Sequence, residues 1–113
     1  MDTLFEKLKE YLKMDTEIAF EEFNDYYKQL ILELNEKFND FDQDACLKAR
    51  FICTTVQSNA ESRSKHSKAK GKAFKKIVSK CAFWADAIHF RLLKEGMTEA
   101  AIEEGIEAIN REV

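Results

Sequence analysis

The sequence predicts an all-α fold, an antiparallel helical bundle of four main helices plus a short N-terminal helix, and three observations carry that prediction. The 113 residues include no proline and only three glycines. Sandwiches, barrels and glycine-rich phosphate loops therefore lack the residues that their turns and close backbone approaches need. Apolar side chains recur at three- and four-residue spacing along most of the chain, the period of a helix with one buried face. Hydrophobic residues make up 45% of the chain and charged residues 35%, which suits one core in a single domain, residues 1–113.

The first helix is expected from about Thr3 to Lys13, with Asp2 as its capping acceptor and Leu4, Phe5, Leu8, Tyr11 and Leu12 on its apolar side. Asp15 or Thr16 then caps a second helix running to Phe41, whose first turn is acidic at Glu17, Glu21 and Glu22. Its apolar stripe of Phe20, Phe23, Tyr27, Leu30, Ile31, Leu34, Phe38 and Phe41 spans an arc of about 100°. From Ala45 the stripe continues with small residues, Cys46, Ala49, Cys53, Val56 and Ala60. Small residues let a neighbouring helix come close, and a close-packed interior must fill the space they leave. The expected filler is the aromatic stripe of residues 20–41, packed antiparallel against 46–60.

Residues 58–72 form a Ser- and Lys-rich stretch with no large apolar side chain. Beyond it Phe74, Ile77, Val78, Cys81, Trp84, Ala85, Ile88 and Leu92 rebuild a core stripe. That helix stops near Lys94-Glu95-Gly96, where glycine can take the left-handed position past a helix end. Thr98 caps the last helix, Met97 and Ile102 stand where a hydrophobic staple would sit, and Ile106, Ile109 and Val113 continue its apolar face.

The Ser/Lys stretch leaves one architectural choice. The heptad series Cys46, Cys53, Ala60, Ser67, Phe74, Cys81, Ile88 passes through it in phase, as it would in one long helix over 45–95 within a dimeric bundle. Gly71, the serines and lysines repelling one another on adjacent turns favour a hairpin instead. A hairpin puts Cys53 and Cys81 at the same level, whereas a continuous helix separates them by about 42 Å.

The net charge of −3 conceals a strong asymmetry. Residues 1–44 hold 13 acids against 5 bases, while residues 61–80 hold eight bases against Glu61 alone. The basic residues Arg63, Lys65, Lys68, Lys70, Lys72, Lys75 and Lys76 are candidate partner contacts, because such a cluster can neutralise phosphates or dock on an acidic protein. Side chains for stacking on bases are scarce there, so a nucleic-acid contact would be electrostatic and weakly sequence-specific; a protein partner is the first expectation and nucleic acid the alternative. Phe83 and Phe90 lie off the core stripe of their helix and add a second candidate contact, to a partner or across a homodimer. A further alternative is an inhibitor presenting the acids Asp15, Glu17, Glu21, Glu22, Asp25, Glu33 and Glu36 to a basic partner.

Enzymatic chemistry finds little support, and no cofactor is expected. Asp86-x-x-His89 has the spacing of a helical ligand pair, but a di-metal bundle needs two such motifs and two further inward carboxylates. Cys46, Cys53 and Cys81 follow no metal spacing and fall on core seams, which suits a reducing, cytoplasmic setting and argues against a thiol nucleophile. No apolar run is long enough to span a membrane, and the N-terminus has no leader pattern. The expectation is a small non-enzymatic interaction module.

Overall fold

The computed structural model describes residues 1–113 as five α-helices: α1 (Asp2–Leu12), α2 (Phe20–Lys37), α3 (Gln43–His66), α4 (Gly71–Lys94) and α5 (Glu99–Glu112). A 3-10 turn, Phe38–Asp40, follows α2, and the bundle measures 43 × 26 × 24 Å. One core of 24 buried residues, none of them charged, draws on all five helices.

The chain reverses at residues 67–70, so α3 and α4 form a hairpin and no helix continues from 45 to 95. Ser67 leaves the helical region (φ −140°, ψ 103°) after the run of small polar residues. This hairpin is the closest helix pair of the fold. Cys46, Ala49, Cys53 and Ala60 of α3 are completely buried, and Cys81, Ile88 and Leu92 are the completely buried residues of α4. The small stripe therefore draws in α4, which corrects the expectation that α2 would be its close partner.

Helix α2 does run antiparallel to α3, but its bulky rings hold the two backbones farther apart and reach other helices. Phe20 and Phe23 meet Phe74 of α4 edge-on at 5.4 and 6.1 Å. Phe38 meets Trp84 at 5.4 Å, and Tyr26 meets Tyr11 of α1 at 5.6 Å while donating its hydroxyl to the Leu4 carbonyl at 2.7 Å.

Both ends of α2 fall short of the range the periodicity suggests. Neither Asp15 nor Thr16 caps it; the N-cap is Ala19, in extended conformation and with no side-chain cap bond. Arg63 of α3 donates to the Ile18 carbonyl at 2.9 Å, holding residues 13–19 outside the helix. At the other end Arg91 of α4 donates to the carbonyls of Phe38 and Phe41. A carbonyl taken by an arginine has less need of a helical amide, so long-range bonds from two arginines set the limits of α2.

Caps that use neighbouring residues follow the sequence more closely. Asp42 caps α3 by accepting from the Ala45 amide at 2.8 Å. Thr98 caps α5 by accepting from Ala101 at 3.0 Å. At the end of α4 the amides of Gly96 and Met97 donate to the carbonyls of Leu93 and Leu92, with Gly96 at φ +102°, the double bond pattern of a Schellman motif. Asp2 departs from expectation: it caps nothing and pairs with Lys48 of α3 at 2.9 Å. The Lys48 ammonium holds its carboxyl below the ordinary 3.8.

Candidate interaction surface

The hairpin gathers the basic segment at one end of the bundle and divides it by role. Arg63 and Lys70, both expected as partner contacts, are engaged inside the fold. The Arg63 guanidinium lies 4.6 Å from the Phe23 ring centroid and donates to Asn59 as well as to Ile18. Lys70 sits 4.0 Å from the Phe20 ring centroid and 3.8 Å from the Glu21 carboxylate. Lys65, Lys68, Lys72, Lys75 and Lys76 are exposed, as is Lys80, and none of these six has a carboxylate within ion-pair distance.

Phe83 and Phe90 are 63% and 62% exposed. Two turns apart on α4, they share one face, and helical geometry places Lys72, Lys76 and Lys94 on that same face within an arc of about 40°. The tip lysines and the phenylalanines, read from sequence as two separate features, thus form one stripe. Lys94, the member that sequence reasoning missed, closes its far end with its ammonium 5.4 Å from the Phe90 ring centroid. Its signal was available in the four-residue spacing from Phe90. Trp84 supports the stripe from the side, its ring 5.7 Å from that of Phe83.

The acidic residues are spread differently. Asp15, Glu17, Glu22, Asp25 and Glu36 are exposed, whereas Glu21 pairs with Lys70 and Glu33 with the Met1 ammonium at 2.7 Å. Glu22 and Asp25 line an open cavity of about 780 Å³ together with Lys7 of α1, and the other acids are spread along α2 and the linker before it.

His89 contacts neither Asp86 nor any metal-like cluster. Its Nε2 lies 2.8 Å from a Glu99 carboxylate oxygen, tying α4 to the first turn of α5. No group of three or more His, Cys, Asp and Glu side chains is placed to hold a metal ion. All three thiols are buried. Burial pushes the Cys81 thiol up to about 12. It raises Cys53 further, with Cys81 near enough to add to the effect, as the hairpin predicts. Burial raises Cys46 too, against the opposing charge of Arg91. Raised values keep a thiol protonated and poorly nucleophilic.

An apolar cavity of about 270 Å³ lies beneath the 13–19 linker, lined by Leu8, Tyr11, Ile18, Phe23, Tyr26 and Val56 among others. Its only basic side chain is Arg63, whose donors already serve the fold. No family model, curated protein or solved structure matches this chain. No helix of the bundle is long and apolar enough to cross a membrane.

Proposed function

We propose that this protein is a non-enzymatic interaction module that docks a protein partner on the outer face of α4 and the adjoining basic hairpin tip. One observation carries the reading. Two large aromatic side chains stand exposed within a line of lysines that have no internal ion-pair partner. A solvated helix face needs lysines but gains nothing from exposed phenylalanine, whereas an aromatic anchor flanked by charge is a common composition for a binding hot spot. The three buried thiols, kept protonated by burial, support a binding role over thiol catalysis.

Affinity capture from the native host tests the reading, with protein and nucleic acid both identified in the eluate. Two variants of this surface are compared with the native chain, Lys65, Lys68, Lys72 and Lys76 changed together to Glu, and Phe83→Ser with Phe90→Ser; a third, with Asp15, Glu17, Glu22 and Asp25 changed to Lys, serves as the contrast. The first two should keep native helicity by circular dichroism, since every altered side chain is exposed, and both should lose the captured protein. Capture unchanged in both variants rejects this surface. Nuclease-sensitive capture lost only in the lysine variant would assign the tip to nucleic acid instead. Loss only on reversing Asp15, Glu17, Glu22 and Asp25 would make the protein an acidic inhibitor of a basic partner.

A further inference from the structure

Resting on that reading, we infer that the occupant of the α4 stripe is an acidic amphipathic helix. It would lay two apolar positions, seven residues apart, against Phe83 and Phe90, with carboxylates reaching Lys72, Lys76 and Lys94.

The stripe has the dimensions of such a partner. Phe83 and Phe90 are separated by two helical turns, about 10 Å, and Lys72 to Lys94 covers about 33 Å. An apolar centre with cationic flanks suits a helix whose anchors recur at i and i+7. Charge decides between candidate occupants. The charged groups within the stripe are all cations, and Asp86 is an acid at its margin. A second copy of this chain docked antiparallel, with Phe83 over Phe90, would bring Lys94 against Lys76 and Lys80 of the other copy. A parallel copy would stack each lysine on its equivalent, and like charges brought face to face are a strong bar to association. A separate acidic helix satisfies the lysines and covers the rings without setting like charges face to face.

Trp84 is the only tryptophan, and its ring packs edge-on against Phe83, so its fluorescence reports on this face. The probe is a synthetic tryptophan-free helical peptide of about eighteen residues, with leucines at i and i+7 and glutamates on either side. Its controls are the same composition with the leucine positions scrambled and a version with lysine for every glutamate. The acidic peptide should produce a saturable change in Trp84 emission. Phe83→Ser with Phe90→Ser should weaken binding roughly tenfold or more, read by calorimetry so that loss of the reporter contact is not mistaken for loss of binding. Charge reversal at Lys72, Lys76 and Lys94 to Glu should transfer preference from the acidic to the lysine peptide. No saturable binding, equal binding of the scrambled peptide, or an unswapped preference overturns the inference. So does a Phe83-dependent dimer in sedimentation, or binding to phosphatidylserine vesicles in place of the peptide. If host capture depends on Phe83 and Phe90 while the acidic peptide fails, the partner class is wrong and the docking face stands. If capture ignores those residues, the docking face itself fails.

Discussion

Arg63 and Arg91 show how a single side chain can overrule a local pattern. Each comes from a helix distant in sequence and takes backbone carbonyls at one end of α2: Ile18 in the first case, Phe38 and Phe41 in the second. Arg63→Met keeps most of the apolar stem but removes the donor to Ile18. The expected cost is about 1–2 kcal/mol, read as a lower urea midpoint, with faster amide exchange over residues 13–19. Exchange unchanged there would show that the linker is held by packing alone. The distinction matters for function, because Arg63 counts toward the basic cluster in sequence yet its charge is spent inside the molecule. Composition records how many bases a segment has; only their neighbours decide which remain free. Gly96 is the opposite case, legible from its place after Lys94-Glu95 because a left-handed residue ending a helix is a local event. Gly96→Ala should cost about 1 kcal/mol or more of stability, measured by denaturant unfolding, with the binding face unaltered.

Helices α3 and α4 carry the element that makes the fold specific. Their apolar periodicity was readable, as was the cap at Thr98 that follows α4, since a cap depends on residues within one turn. Partner choice was not. A stripe of small residues announces that some helix comes close and leaves open which one, and here α4 takes the place expected of α2. The contact of α5 with α3 is a second close approach. A Cβ built on Gly105 would lie 2.9 Å from Leu47 Cδ1, so this glycine inside α5 has a packing role. The clash is with the far end of a flexible side chain, and alanine also improves helix propensity by up to about 1 kcal/mol. Gly105→Ala alone should therefore change stability little. In the Leu47→Ala background, where the obstruction is gone, the same change should be stabilising, with a coupling of about 0.5 kcal/mol or more in the double-mutant cycle. Additive effects would show that the two side chains do not meet. The α4 stripe is different in kind, because the spacing of Lys72, Lys76, Phe83, Phe90 and Lys94 within one helix is enough to put them on one face.

The whole molecule is a small core with few buried polar features, and its ionisable groups give it a defined response to alkali. Burial raises the three thiols and Tyr26 and Tyr27 above their ordinary values. Below the ordinary thiol value of 9.0 these groups are protonated in both states and their stabilisation is fully present. Above it the unfolded chain loses protons first, so stability falls as pH rises. Each thiol contributes up to about 1.4 kcal/mol per pH unit. The urea midpoint should drop sharply between about pH 9 and pH 11, and less so in a variant with Cys46, Cys53 and Cys81 all changed to Ala; parallel curves would refute the burial argument. Fold class, the single core, the hairpin and the basic end were all carried by composition and periodicity, because helix formation and burial answer to spacing along the chain. Which helices approach closely, where α2 begins and ends and which bases stay free were decided only in three dimensions. Those properties depend on contacts between residues far apart in sequence, and local spacing holds no record of them.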